Sequence, residues 1–217
     1  MSIPANTLLP PKAPNLPVGP MQYDQTYQNQ LLADLRRYFN TLDNALGLLL
    51  GTGGGGGKYV RFPYGAFQSG VSQTTTANTA TAMTFDTTDY ANGVSIASSS
   101  RITVTNSGIY NLQWSGQFQN TDTQLHDASV WLRVNGTDAT GSNGIVSIPN
   151  SHGGVNGHTI AAWNYFVQLN ANDYVELWWS TDDAKVSLQY YAAGTTPTRP
   201  TTASVIATLS FVSALPT

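Results

Sequence analysis

Seven residues, Gly51 to Gly57, six of them glycine and one Thr52, divide the chain into two segments of unlike pattern. Before them one stretch repeats apolar residues at helical spacing. After them, Lys58 to Thr217 alternates polar and apolar residues and breaks at short intervals on turn residues. Glycine loses more backbone freedom on ordering than any other residue, so such a run ends a helix and cannot begin a strand. As a flexible coil it spans on the order of 15 Å, enough to decouple a small anchoring element from a large β head. Close approach of chains at a symmetry axis is the second use for so many glycines. The division suggests an appendage, mounted at one end and presenting something at the other.

With 217 residues, 41% of them apolar, the chain suffices for one sizeable β domain plus a tail. Only 10% are Asp, Glu, Lys or Arg, against roughly 25% in an ordinary soluble domain, and Thr, Ser, Asn, Gln and Gly fill the deficit. The surface is therefore polar and nearly uncharged. A net charge of −3 with nine scattered basic residues offers no phosphate-tracking patch, which argues against nucleic acid as a partner. The apolar runs are too short for a membrane span. The absence of cysteine excludes disulfides and thiolate chemistry. Met1 to Pro20, with a single Lys12 and no hydrophobic segment, does not read as a secretory signal. Asn135-Gly136-Thr137 matches a glycosylation sequon and equally a hairpin turn, which is the reading preferred.

Pro4, Pro10, Pro11, Pro14, Pro17 and Pro20 predict an extended arm over residues 1–22. Tyr27, Leu31, Leu35, Phe39, Leu42 and Leu46 recur at helical spacing, with Asp24 near the start and Gly47 after the end, predicting a helix over 23–47. Leu31, Leu35, Tyr38, Leu42 and Ala45 also fit a four-three spacing suited to a short coiled coil. The alternative is an amphipathic helix docked on its own head or on a neighbour, and either way the stripe needs a partner, because a lone helix of this length is marginal in water. The helix is thus a candidate for particle anchoring or for trimerisation, followed by a linker over 48–58 and a head over 59–217.

In the head, Gly108 to Phe118 sets Tyr110, Leu112, Trp114 and Phe118 on one face against Asn111, Gln113, Ser115 and Gln117. Asp127 to Val134 sets Ala128, Val130, Leu132 and Val134 against Ser129, Trp131 and Arg133. Ile160 to Leu169 places Ala161, Trp163, Tyr165, Val167 and Leu169 together. Tyr174 to Ser180 opposes Val175, Leu177 and Trp179 to Tyr174, Glu176 and Trp178. Met83 to Phe85, Val94 to Ile96, Arg101 to Val104, Val186 to Tyr191 and Ser204 to Val212 complete about eight to ten predicted strands, with a Pro197 to Pro200 loop before the last. The fold class predicted is mainly β, an antiparallel sandwich or jelly roll. Trp131 beside Val130, and Trp178 between Leu177 and Trp179, place apolar residues on both faces of a strand and suggest a second buried surface between subunits.

The succession Tyr64-Gly65-Ala66-Phe67, Arg101-Ile102-Thr103-Val104, Gly108-Ile109-Tyr110, Trp131-Leu132-Arg133-Val134-Asn135-Gly136, Ala162-Trp163-Asn164-Tyr165, Asn172 to Ser180, and Pro200 before Ser204-Val205-Ile206 resembles the trimeric jelly-roll heads of the complement and tumour-necrosis-factor superfamily, in the version found in tailed bacteriophages. Tyr23 to Tyr27, continuing through Leu35 to Asp43, is similar to the stretch that precedes such heads in phage structural proteins. The resemblance implies a homotrimer with the head at its tip. It also implies a place on the exterior of a virion assembled in the host cytoplasm, attached to capsid or tail proteins by the N-terminal segment.

Sequence motifs for chemistry are nearly absent. His126, His152 and His158 sit in no metal-binding or nucleophile motif, and Glu176, the only glutamate, is expected to bond a neighbour such as Lys185 or Arg133. Neither Asp182-Asp183 nor Asp122 to Asp127 alone supplies the oxygens calcium prefers, and turn chemistry accounts for both. No catalytic residue, cofactor or metal is predicted, and the chain is read as not an enzyme. Trp131 joins Tyr174, Trp178, Tyr190 and Tyr191 as candidate trimer-interface or glycan-contact residues, the interface reading being placed first. Two functions follow: a phage structural appendage (capsid decoration, head fibre, neck or tail fibre), or alternatively an adhesin module that binds host surface glycan.

Overall fold

The computed structural model describes residues 13–16, 18–50 and 62–215, which fall into two units parting between Arg61 and Phe62. Of the linker predicted over 48–58, residues 48–50 belong to the helix and 51–58 lie outside the described residues, as do residues 1–12 and 17 of the arm.

The first unit contains α1 (Gln25–Leu50). Its start is set by Asp24, whose Oδ1 accepts the amide N–H of Thr26 at 2.7 Å and of Tyr27 at 3.4 Å, satisfying donors that the first turn leaves over. Its end corrects the expected one, because the helix runs through Gly47 to Leu50. One interior glycine costs about 1 kcal/mol relative to alanine, and the strong helix formers Leu46, Leu48, Leu49 and Leu50 around it outweigh that. Tyr27, Leu31, Leu35, Tyr38, Leu42 and Ala45 are half-buried along one stripe, whereas Phe39 and Leu46 are exposed. Among the described residues no helix is long and apolar enough to cross a membrane.

The second unit contains β1 (Tyr64–Ser69), β2 (Gln73–Thr74), β3 (Thr81–Ala82), β4 (Thr87–Asn92), β5 (Val94–Ala97), β6 (Arg101–Val104), β7 (Gly108–Asn120) and β8 (His126–Val134). It continues with β9 (Thr137–Asp138), β10 (Gly144–Ile148), β11 (Gly157–Leu169), β12 (Tyr174–Thr181), β13 (Val186–Leu188), β14 (Gly194–Thr195), β15 (Thr198–Arg199) and β16 (Val205–Ser213). The protein is mainly β, and its sheets are antiparallel.

One sheet runs β4-β1-β16-β7-β11. Because β11 pairs with β7 along its whole length, β16 and β13 divide the other edge of β7, and β2 lies beyond β13. The second sheet runs β10-β8-β12-β6-β5, with β3 also on β12 and β9 on β8. Asn135 and Gly136, at φ of 49° and 81°, form the two-residue turn between β8 and β9, the conformation that an Asn-Gly pair tolerates best.

The core follows the period-two pattern. Tyr110, Leu112, Trp114 and Phe118 of β7 are buried, as are Val175, Leu177 and Trp179 of β12 and Val205, Ala207 and Leu209 of β16. Phe118 meets Trp179 edge to face, their ring centres 5.9 Å apart, and this contact joins the two sheets. The predicted strand Met83 to Phe85 is a correction: pairing stops at Ala82. Met83 and Phe85 are nonetheless buried, and their N–H groups donate irregularly to Leu177 O at 2.8 Å and Ser99 O at 2.7 Å. The strand predicted over Val186 to Tyr191 likewise ends at Leu188.

Candidate functional site

The two sheets turn outward faces of opposite character. β1, β7, β11 and β16 contain no Asp, Glu, Lys or Arg. Since successive side chains of a strand point to opposite faces, the residues between the buried ones form the outer face of the first sheet. Across β11, β7 and β16 they line up in register: Ala162, Ser115 and Ile206 in one row, Asn164, Gln113 and Thr208 in the next. These two rows line a shallow depression of about 520 Å³. Around it Ile160 is 68% exposed, Phe166 65%, Val212 48% and Ile206 44%, a concentration of accessible apolar side chains on one sheet. Asn164 donates to Asn111 Oδ1 at 2.7 Å, which pairs two polar side chains of this face.

The second sheet carries charge outward. Trp131 of β8 and Trp178 of β12 are cross-strand neighbours. The Arg133 guanidinium lies 3.7 Å from the centre of the Trp178 ring, while Arg133 Nε at 2.7 Å and Trp131 Nε1 at 2.8 Å both donate to Asp138 Oδ1. Those hydrogen bonds, Arg133's first, hold the Asp138 carboxyl below the usual carboxylate range. Arg101 covers Tyr174, 4.5 Å from its ring centre. Glu176 is buried, and its partners are not the expected Lys185 or Arg133: Oε1 accepts from Ser100 Oγ at 2.6 Å and lies 3.7 Å from Arg101 Nε, while Oε2 accepts from Trp178 Nε1 at 3.4 Å.

The aromatic candidates thus divide. Trp131, Tyr174 and Trp178 are half-buried on the second sheet, within this ladder of arginines and carboxylates. Tyr190 and Tyr191 follow β13 elsewhere. Tyr191 OH accepts from Gln119 Nε2 at 2.7 Å and lies 3.1 Å from His158 Nδ1, and its partial burial pushes its pKa up. Tyr190 N–H donates to Ser72 Oγ at 3.0 Å. The structure therefore does not bring the five together.

Sequence reasoning passed over two places. The first is the outer face of β7, β11 and β16, whose only signal is the want of charge. The second joins two loops that were read separately: Asp122 between β7 and β8, His126 at the start of β8, and Asp182 and Asp183 between β12 and β13. There the Asp122 carboxyl is lowered to about 2, first by the hydrogen bond with His126 and then by the Thr123 amide and Lys185. Burial works to lower the His126 pKa, but the Asp122 hydrogen bond and the charges of Asp182, Asp183 and Asp122 together raise it. Comparison with known proteins identifies no family model that matches the chain and no curated protein significantly similar to it.

Proposed function

We propose that this protein is a phage virion structural protein, a homotrimeric appendage whose N-terminal arm and helix attach it to the particle and whose second unit is a displayed jelly-roll head. The observation that carries the reading is the uncharged outer face of β7, β11 and β16, with Ile160, Phe166, Ile206 and Val212 exposed on it. A face without charge and with clustered large apolar residues gains by burial against another copy, at about 25 cal/mol for each Å² of apolar surface covered. The jelly-roll part is supported by the strand orders. Two antiparallel blocks, β4-β1-β16-β7-β11 and β10-β8-β12-β6-β5, alternate along the chain, and β1 and β16, the first and last strands, lie side by side.

Attachment through the helix is supported by its stripe, which includes Leu31, Leu35 and Leu42 with Leu32, Phe39 and Leu46 exposed beside it. Recognition of host glycan has less support. Sugar rings stack on open aromatic faces, and Arg133 and Arg101 already cover Trp178 and Tyr174.

Light scattering on the full chain tests the assembly. The wild type is expected to be a trimer, and Ile160→Asp with Phe166→Asp, at positions too exposed to disturb the core, a folded monomer. A monomeric wild type, or a variant that stays trimeric, would overturn the role given to this face. Deleting residues 1–50 is expected to leave a folded head that no longer joins the particle.

A further inference from the structure

Both ring nitrogens of His126 lie 3.1 Å from a carboxylate oxygen: Nδ1 from Asp182 Oδ1 and Nε2 from Asp122 Oδ2. A neutral imidazole has one N–H, so one of these contacts sets lone pair against lone pair unless a cation occupies it, either a second proton or a metal ion. A third oxygen, Asp183 Oδ2, stands 4.0 Å from Nε2. One ligand atom from each of Asp122, His126 and Asp183 lies within 4.8 Å of the other two.

The carboxylates are held ready. Asp122 Oδ1 accepts the Thr123 amide at 2.7 Å and Lys185 Nζ at 3.3 Å, which leaves Oδ2 for Nε2. Asp183 Oδ1 accepts the Lys185 amide at 2.8 Å, which again leaves Oδ2. Asp182 Oδ1 accepts the Asp127 amide at 3.2 Å and sits where a carboxylate keeps Nδ1 protonated, so that a bound cation would displace to solvent the Nε2 proton that otherwise bonds Asp122 and take up the Nε2 lone pair. The imidazole side chain is only 13% exposed and cannot easily turn away.

We propose that Asp122, His126 and Asp183 form a binding site for one divalent transition-metal cation, which ties the loop before β8 to the turn after β12. Ligands at about 2.1 Å around a tetrahedral ion stand about 3.4 Å apart, so a small movement of the half-buried Asp183 side chain closes the observed spacing. One imidazole and two carboxylates suit zinc, with a fourth position left to water. Calcium, which takes six to eight oxygens, is poorly matched. The exposed Lys185 contacts the far oxygen of Asp122 and leaves the near one available.

Zinc chloride is the probe, titrated calorimetrically into the full chain at neutral pH in a non-chelating buffer. One zinc per chain is expected, bound at least 10-fold more weakly by Asp183→Asn and by His126→Gln. Asp182→Asn, which touches no metal, is expected to weaken binding by about 10-fold through the imidazole orientation. Cobalt(II) should give visible absorption that zinc abolishes. Should His126→Gln fail to fold, Asp183→Asn decides alone, because it keeps the side chain's size at a half-buried turn position less enclosed than the imidazole. A wild type that takes up no zinc would overturn the site, and so would uptake that Asp183→Asn leaves unchanged.

Discussion

Arg133 lies over the ring of Trp178, its guanidinium carbon 3.7 Å from the ring centre, and its Nε reaches across to Asp138. One arginine thereby covers an aromatic face and neutralises a carboxylate. Cation–π contacts at such partly exposed sites contribute roughly 0.5–1 kcal/mol. A double-mutant cycle with Arg133→Ala and Trp178→Ala, measured by urea unfolding, is expected to return a coupling of about that size. A coupling near zero would mean that the two side chains part in solution.

Asp138 gives a prediction in pH. With its folded pKa held below the unfolded value of about 3.9, its contribution to stability is complete above that value and is lost as the pH falls through the folded one. A carbon-detected NMR titration should place Asp138 below the ordinary carboxylate range in the wild type. Arg133→Ala should move it back up. An ordinary midpoint in the wild type would contradict the paired geometry.

Gly157, which opens β11, has no room for a side chain: a Cβ there would stand 1.7 Å from the carbonyl oxygen of Pro149. The obstacle is backbone and cannot rotate aside. Gly157→Ala is expected to cost at least about 1–3 kcal/mol by thermal or urea unfolding.

The helix unit is open to two opposite changes. Removing the cap with Asp24→Ala should lower helix stability by about 1 kcal/mol. Gly47→Ala should raise it by a similar amount, since a Cβ at Gly47 meets nothing within 4 Å. Far-ultraviolet circular dichroism through a thermal melt distinguishes the two directions.

Much of the β architecture was legible because period-two burial is written directly into the residues. Tyr110, Leu112 and Trp114, or Val175, Leu177 and Trp179, announce their inward face without any knowledge of the neighbouring strand. Asn135-Gly136 likewise identifies its own turn. Alternation does not say which sheet a strand joins, so Trp131 and Trp178 looked like uncovered apolar residues although Arg133 lies across Trp178 and Trp131 bonds Asp138. Strand pairing decides such matters at long range, as when Ser100 and Arg101 arrive beside Glu176. The same holds for His126, whose carboxylate neighbours come from two loops some 60 residues apart in sequence. The helix end was missed for a local reason, since one glycine signals a stop that the leucines around it override.

The want of Asp, Glu, Lys and Arg in β1, β7, β11 and β16 also fixes how that face responds to its medium. Dissolved salt shortens the reach of charges, to about 10 Å at 0.1 M and about 3 Å at 1 M, and it weakens contacts built from them. Where there are no charges there is nothing to shield. Contacts made through these four strands would keep their strength from fresh water to brine and would loosen instead in urea, which solvates apolar and amide surface alike.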